Sequence, residues 1–332
     1  MSHSTEGKEL SRREFLTRSA KAGAALALAG GVSAWLYDTE GPRAPSAAGT
    51  GLVELDDFSV YGLETRMSIV HGADRIQSLD VALKALGGIE VFIKRGDRVL
   101  VKVNAAFATP AVLSATTNPD LLAEVCRRCL KAGAASVVVT DNPINDPESC
   151  FALTGLREAA QSAGARVILP RAGFFRPTTV SGGSLIKDWP LLYTPFQGVT
   201  KLISIAPVKD HNRSGASMIM KNWYGLLGGR RNIFHQDIHN TIKELAMMVK
   251  PTLVILDGVT TMMTNGPTGG SLSDLKATNT LIVSTDQVAA DAVGGTLLGK
   301  AVSDLPFIVK AAEAGVGTAD VESLKPVHAS AA

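Results

Sequence analysis

The chain has 332 residues, with 33 Lys and Arg against 31 Asp and Glu, a net charge of +2, and 45% hydrophobic residues. This composition is typical of a globular protein with a sizeable core and excludes an intrinsically disordered chain. The balanced charge, with no basic stripe interleaved with aromatic residues, predicts no nucleic-acid partner. Three cysteines, an odd number, exclude a complete disulfide framework.

The first predicted element is an export signal and linker at residues 1–50. Arg12 and Arg13, then Phe15 and Leu16, then an Ala/Gly-rich stretch almost free of charge match the twin-arginine signal. We therefore expect the twin-arginine translocase as a partner and a periplasmic or other extracytoplasmic location. The apolar stretch is short for a membrane span, which needs roughly 20 apolar residues. An uncleaved anchor and an ordinary amphipathic helix are the alternatives.

Strand and helix patterns alternate from residue 51 onward. Runs of β-branched residues predict strands at residues 67–70, 98–103, 136–140, 166–169, 201–206, 252–256 and 280–283. Apolar residues at helical spacing predict helices at residues 78–86, 119–132, 156–163, 235–250 and 286–298. The alternation predicts a three-layer, Rossmann-like α/β fold, with a mostly parallel sheet and helices on both faces. We expect one domain over residues 51–325, a small excursion at 174–198 and a flexible tail at 326–332.

A C-x-x-C motif, Cys126 and Cys129, lies within the predicted helix 119–132. With Leu122, Val125 and Leu130, the two cysteines continue an apolar stripe at helical spacing. A redox motif instead places its first thiol near a helix N-terminus, where the thiol pKa falls. We therefore expect buried core thiols, with redox or metal chemistry as the alternative.

Polar residues follow five of the predicted strands. In open α/β sheets, ligands bind beyond the carboxyl ends of the strands, so these side chains are expected to converge on one edge. A single Asp in such a position is more often a helix cap or turn residue. The prediction of a site therefore depends on several such residues occurring together. They are Asn104, Asp141, Lys209, His211, Asp257 and Asp286.

Two lysines suggest an anionic ligand. Lys102 lies in an otherwise apolar strand, where an ammonium must be neutralised, paired with a carboxylate or bound to an anion. Lys221 and Asn222 follow a loop of small residues at 213–217, whose N–H groups suit a phosphate or carboxylate. A structural ion pair and a solvated turn are the respective alternatives. The predicted ligand-binding residues are Lys102, Asn104, Lys209, Lys221 and Asn222.

Two histidines, His235 and His239, are four residues apart in the predicted helix 235–250 and would be neighbours on its surface. This spacing permits both imidazoles on one metal, although Gln236 occupies the position of the glutamate in a metalloprotease motif. Polar positioning or capping is the alternative. The predicted ligands of a divalent metal are His211, His235, His239, Asp286 and Asp291.

Taken in order, these motifs resemble the family catalogued as domain of unknown function 362. The resemblance covers roughly residues 65–300 and depends on His235 and on residues 96–104, 117–119, 131–134, 207–211, 220–225, 257–258, 265–267 and 286–291. It bears on the fold class more than on the activity, because the family's catalytic role is not established.

The chain departs from the family pattern at two positions. Val103 occupies the position of a proline, and Asp210 occupies the position of a frequent threonine between Lys209 and His211. Some members of the family also carry iron–sulfur modules. This chain lacks the C-x₂-C-x₂-C-x₃-C motif, so no iron–sulfur cluster is expected.

These residues are consistent with three functions. The first is an exported enzyme acting on a small anionic substrate, which the lysines bind while His211, His235 and Asp257 supply acid–base chemistry or hold a divalent metal. The second is a non-catalytic periplasmic protein that binds a ligand or cofactor through the same lysines. No nucleophile elbow or metal-hydrolase motif separates these two. The third is a redox protein that uses Cys126 and Cys129.

Overall fold

The computed structural model describes residues 12–14, 17–24 and 51–331, and the chain divides into two units, Met1–Arg43 and Ala44–Ala332. In the first unit, residues 12–14 and 17–24 are helical and exposed. They include Arg12 and Arg13, whereas Phe15 and Leu16 of the predicted export signal lie outside the described residues. None of the helices in the described part of the chain has the length and hydropathy needed to span a membrane.

Strands in the second unit are β1 (Met67–His71), β2 (Arg98–Lys102), β3 (Ser136–Thr140), β4 (Arg166–Val167), β5 (Phe175–Thr178), β6 (Trp189–Leu192), β7 (Lys201–His211), β8 (Gly215–Ser217), β9 (Leu253–Met262), β10 (Leu275–Ser284) and β11 (Val327–Ser330). Nine of these form one sheet within the described residues, in the order β11-β1-β10-β9-β7-β2-β3-β4, with β8 paired to β7. The pairs from β9 to β4 are parallel, whereas β10 runs antiparallel to both β1 and β9. The predicted α/β class, with a mostly parallel sheet, is confirmed.

The α-helices of residues 51–331 are α1 (Arg75–Ala85), α2 (Pro119–Lys131), α3 (Pro147–Leu153), α4 (Leu156–Ser162), α5 (Ile219–Asn222), α6 (Ile238–Met248), α7 (Gln287–Leu297) and α8 (Pro306–Glu313). They cover both faces of the sheet. Successive residues of a strand point to opposite faces, so alternate side chains of β2 pack against different helix layers. Val99 and Val101 pack in the layer that contains α1, α2 and α4, whereas Leu100 packs in the layer with α6, α7 and α8. Each fully buried aliphatic side chain in these layers stabilises the fold by about 1.5–3 kcal/mol.

The helix α2 begins where its sequence signals predict. The Asn118 side chain accepts the N–H of Leu121 at 3.0 Å, and Pro119 occupies the first turn. Cys126 and Cys129 lie on the buried face of α2, and burial raises the pKa of both thiols, that of Cys126 to about 12. The prediction of buried core thiols is confirmed, and a raised pKa disfavours the reactive thiolate.

Two regions outside the main alternation are also ordered into strands. Residues 326–332 were expected to form a flexible tail, but Val327–Ser330 within that range form β11, which pairs in parallel with residues 68–71 of β1. The added strand satisfies N–H and C=O groups that β1 would otherwise leave unpaired at the edge of the sheet. The excursion at residues 174–198 contains β5 and β6, which pair with each other as a separate two-stranded antiparallel sheet.

Two strands depart from the prediction in a way that affects the site. β9 was predicted to end at residue 256, but it continues to Met262, so Asp257 lies inside the strand. β10 runs antiparallel to β9, so its C-terminal end lies at the edge of the sheet opposite the ends of β2, β3 and β7. Asp257, inside β9, and Asp286, after β10, therefore do not join the polar residues after β2, β3 and β7.

Candidate functional site

A cleft of about 720 Å³ opens beyond the carboxyl ends of β2, β3 and β7. This is the edge at which open α/β sheets bind ligands. Phe107, Ile144 and Phe175 supply apolar parts of its wall. Seven of the predicted site residues line it: Asn104, Asp141, Lys209, His211, Lys221, Asn222 and His235.

The end of β7 directs two polar side chains into the cleft. Lys209 and His211 both line it, because side chains two residues apart on a strand point to the same side. Asp210 lies between them and points the other way, where its carboxylate is 3.3 Å from the ammonium of Lys300. The negative charge that the sequence places beside the two site residues is therefore directed away from the cleft.

A buried ion pair lies beneath the cleft. Nζ of Lys102 is 2.8 Å from Oδ1 of Asp141 and also donates to the carbonyls of Val103 (2.7 Å) and Asn222 (2.9 Å). Lys102 is 0% exposed and does not line the cleft. The structure thus places Lys102 in the structural ion pair that the sequence left as the alternative to ligand binding.

Gly225 packs directly over this ion pair. A Cβ atom at this position would lie 2.0 Å from Oδ1 of Asp141 and 2.9 Å from Nζ of Lys102. Asp141 also accepts the backbone N–H of Ala105 at 2.6 Å. The position therefore requires glycine, since any larger residue would displace the carboxylate that joins β2 to β3.

Asp291 positions the segment that carries Lys221 and Asn222. It lies within α7 and accepts the N–H groups of Ile219 (2.8 Å) and Met220 (3.0 Å) at the start of α5. Burial raises the pKa of Asp291 to about 7. This carboxylate, predicted as a metal ligand, is used to hold a helix terminus instead.

The two cleft-lining lysines differ in their partners. Nζ of Lys209 donates to the carbonyl of Ala115 and lies 5.2 Å from the ring centroid of Phe107. Nζ of Lys221 lies 5.0 Å from the ring centroid of Tyr224 and has no hydrogen-bond or ion-pair partner among the described residues. Burial is the largest cause that lowers the pKa of each ammonium to about 7; the charge of Lys221 adds to it at Lys209, and that of Arg231 at Lys221.

Arg231 adds a third positive charge to the cleft. Its guanidinium donates to the carbonyls of Tyr224 and Leu227, both at 3.1 Å, and of Asn142 (2.7 Å) and Pro143 (2.9 Å). It thereby ties the loop after β3 to the turn after α5. The sequence does not show that Arg231 belongs to the site and that the neighbouring, exposed Arg230 does not. The four carbonyls that accept from Arg231 come from separate positions and leave no pattern near it in the sequence.

Positive charge exceeds negative charge in the cleft. Asp141 is the one carboxylate among the described residues that line it, and Asp141 is already paired with Lys102. Within residues 51–331, no carboxylate forms an ion pair with Lys209, Lys221 or Arg231. Buried charges without a partner cost several kcal/mol, so an anion bound here would recover part of that cost.

The two cleft histidines are stacked and neutral. Their ring centroids lie 5.8 Å apart with an interplanar angle of 16°. Burial, reinforced by the charge of Lys221, lowers the pKa of His211 to about 2 and lowers the pKa of His235 in the same direction. Neither ring is therefore charged at neutral pH.

His235 and His239 do not share a helix face as predicted. α6 begins at Ile238, and His235 lies in a preceding 3₁₀ helix, Arg231–Asp237. The tighter winding of a 3₁₀ helix breaks the i, i+4 relation. His239 instead stacks on Phe307 of α8, with ring centroids 6.2 Å apart.

The remaining predicted residues lie away from the cleft. Asp257 is 2.7 Å from Nε of Arg75, and Asp286 caps α7 by accepting the N–H groups of Val288 and Ala289. In the described ranges, no three His, Cys, Asp or Glu side chains form a group that could hold a metal ion. The five predicted metal ligands are not brought together, and Asp257 is not placed beside the two cleft histidines.

Comparison with known proteins supports the resemblance seen in the motifs. The family model described as Domain of unknown function (DUF362) matches residues 99–296, more than half of the chain. Thylakoid-associated protein sll1697 of Synechocystis sp. is 24% identical over 260 residues, which cover 76% of this chain and 78% of that protein.

A solved structure also matches, the lactate racemase apoprotein from Thermoanaerobacterium thermosaccharolyticum. The TM-score is 0.41 and the sequence identity 14%, over 79% of this chain and 61% of that structure. This chain thus spans less than two thirds of the length of that protein. The likeness assigns no activity to the cleft.

Proposed function

This chain belongs to the domain of unknown function 362 family, and we propose that it binds a small anion, a carboxylate or a phosphate, in the cleft beyond β2, β3 and β7. The observation that carries the proposal is the Lys221 ammonium. Lys221 is 9% exposed and lines the cleft, yet its Nζ has no partner among the described residues and is not enclosed. A charged donor in this position is satisfied by an anionic ligand.

The size and charge of the cleft support the same proposal. A volume of about 720 Å³ lies within the range of small-molecule sites. Lys209 and Arg231 add to the positive potential at Lys221. The side-chain amide of Asn104 and the aromatic ring of Phe107 would orient the rest of the ligand.

The two neutral histidines favour an enzyme over a protein that only binds its ligand. A neutral imidazole next to a bound anion can exchange a proton with it at physiological pH. A non-catalytic binding or accessory protein is the second candidate function, and the lysines alone would suffice for it. Neither function needs the predicted metal site.

We expect the affinity for an anion to fall as the pH rises above about 7. Lys209 and Lys221 have a pKa of about 7 in the folded protein, below the usual 10.5. Each lysine that must be charged for binding then weakens affinity by about tenfold per pH unit above its pKa. Isothermal titration calorimetry with sulfate, whose own charge does not change in this range, measures the effect. Equal affinities for sulfate at about pH 7 and at about pH 9 would contradict this expectation.

The same lysines should make the ligand-free protein more stable as the pH rises from about 7 to about 8. In that window the unfolded chain keeps protons that the folded lysines have lost, so the free energy of unfolding increases with pH. Above that range the buried thiols Cys126 and Cys129, whose pKa values burial raises, act in the opposite direction. Asp291 acts in the opposite direction, but only below about pH 7, where the folded protein keeps a carboxyl proton that the unfolded chain has lost. Urea unfolding across the window therefore serves as a check that does not depend on any ligand.

Export through the twin-arginine translocase is the second part of the proposal. It is supported by Arg12 and Arg13 and by the apolar stretch that follows them. Replacing both by lysine (Arg12→Lys with Arg13→Lys) should leave most of the protein unexported, since the receptor reads the paired guanidinium groups. Arg18→Lys is the matched control and should leave the exported fraction unchanged. Equal export of the two variants would remove this part of the proposal.

A further inference from the structure

The hydrogen bonds of His211 show which of its ring nitrogens carries the proton. Nδ1 of His211 accepts the backbone N–H groups of Arg213 (3.2 Å) and Ser214 (3.3 Å). A nitrogen that accepts hydrogen bonds carries no proton, so the proton of the neutral ring is on Nε2. His211 is therefore a hydrogen-bond donor at Nε2.

His235 has the opposite arrangement. Its Nδ1 lies 3.2 Å from the carbonyl oxygen of Asn232, which can only accept, and 3.1 Å from Oη of Tyr224. The Tyr224 hydroxyl donates its own proton to the carbonyl of Arg231 at 2.7 Å, which leaves its oxygen as an acceptor. Nδ1 of His235 must therefore carry the proton, and Nε2 presents a lone pair.

Both Nε2 atoms are available to a ligand. Neither belongs to the buried polar atoms that lack a partner among the described residues, and both rings line the cleft. The ring centroids lie 5.8 Å apart, and the charge of Lys221 acts on both rings, so a donor ring and an acceptor ring face the same part of the cleft. Their two different roles would complement two different atoms of one ligand.

We infer that the cleft is built for an anion that carries a transferable proton, an O–H or C–H next to its charge, which Nε2 of His235 accepts while Nε2–H of His211 donates to a neighbouring ligand atom. The inference rests on the proposed function for the charge of the ligand and extends it to the ligand's protonation. An anion without such a proton would place its oxygen lone pairs against that of Nε2 of His235.

The proton transfer balances within these residues. The O–H or C–H bond of the ligand breaks, the proton moves to Nε2 of His235, and the electron pair stays on the ligand. The Lys221 ammonium and the His211 N–H stabilise that new charge, as preorganised donors do in other active sites. Nδ1–H of the resulting imidazolium remains bonded to Asn232 and Tyr224, and the reverse step returns the proton.

Cations around the rings make the transfer depend on the ligand. The charged groups that act on them are Lys209 and Lys221 at His211, and Lys221, Arg213 and Arg231 at His235. All of these oppose protonation of the imidazoles in the empty cleft. A bound anion offsets their charge, so His235 becomes a stronger base when the ligand is present.

Long-range ¹H–¹⁵N correlation spectra of the uniformly ¹⁵N-labelled protein at neutral pH test the inference directly. We expect His211 to be protonated on Nε2 and His235 on Nδ1, both in the neutral form. His211→Gln and His235→Gln spectra assign the two signals. A His235 ring that is protonated on Nε2, or charged, would overturn the inference whatever the ligand is.

Titration calorimetry with inorganic phosphate and sulfate supplies the second test, since the two ions share a shape but only hydrogen phosphate carries a proton. We expect phosphate to bind about tenfold more tightly, because sulfate leaves the Nε2 lone pair of His235 without a donor. His235→Gln should abolish the preference, because the amide can turn its NH₂ group toward either ion. His239→Gln, four residues further along in α6 and outside the cleft, should keep it.

Different results separate the two proposals. Sulfate binding as tightly as phosphate would overturn the inference about the transferable proton and leave anion binding in place. Failure of both ions to bind would overturn the proposed binding of a small anion. The spectra of the imidazole rings would still decide, independently of binding, which nitrogen of each histidine carries the proton.

Discussion

Replacing Lys221 by methionine is expected to weaken the binding of phosphate 10- to 100-fold without unfolding the protein. The range corresponds to the loss of a hydrogen bond to a charged group, about 1.5–3 kcal/mol. Because the ammonium has no partner among the described residues, its removal leaves no protein group unpaired. The methionine side chain would still pack on the ring of Tyr224. Calorimetric titration measures the affinity, and urea unfolding checks the stability.

Lys276→Met is the matched control for this variant. Lys276 is an exposed lysine of β10 that does not line the cleft, so the same change in net charge is made elsewhere. Its phosphate affinity should stay within about twofold of the unmodified protein, since exposed charges are screened. If the two variants bind phosphate equally well, Lys221 is not the group that recognises the anion.

Replacing Lys102 by methionine is expected to lower the free energy of unfolding by about 3–5 kcal/mol. The reason is the carboxylate left behind: Asp141 is 2% exposed, and Lys102 is its ion-pair partner at 2.8 Å. The variant also leaves the carbonyls of Val103 and Asn222 without the donor they share. Urea denaturation followed by circular dichroism measures the loss.

Two further variants separate this effect from a general loss of charge. Lys250→Met breaks a pair with Asp57 whose side chains are 65% and 50% exposed, and should cost at most about 1 kcal/mol. Adding Asp141→Asn to Lys102→Met should restore part of the stability, because the amide carries no charge. A Lys102→Met protein as stable as Lys250→Met would show that Asp141 does not need its partner.

The elements of the fold could be predicted closely wherever the signal was local. Residues 136–140 form β3 as predicted, and α2 ends one residue before its predicted end, because β-branched runs and the Asn118–Pro119 cap act within a few residues. β10 was harder to place. Its strand pattern carries no information on direction, so nothing local indicated that Asp286 would lie at the opposite edge of the sheet.

His239 illustrates a second kind of limit. The apolar spacing from residue 235 onward is compatible with one continuous helix, yet the segment Arg231–Asp237 winds as a 3₁₀ helix. Tyr224 and the carbonyl of Asn232 hold His235 in that segment. The contact with Tyr224 is tertiary, so a helical pattern by itself could not separate the two histidines.

The sequence by itself determined the α/β class, the edge of the sheet that carries the site and most of its polar side chains. These follow from the alternation of strands and helices and from the direction of parallel strands. Only the tertiary structure decided which charges are paired. Lys102 and Lys221 look alike in the sequence, but the partners of buried groups come from distant positions: Asn222 is 120 residues from Lys102, and Arg75 is 182 residues from Asp257. The pairing of buried charges and the protonation of the rings depend on such contacts. Only the folded chain therefore shows that the Lys221 ammonium has no partner among the described residues and that Nε2 of His235 is an acceptor.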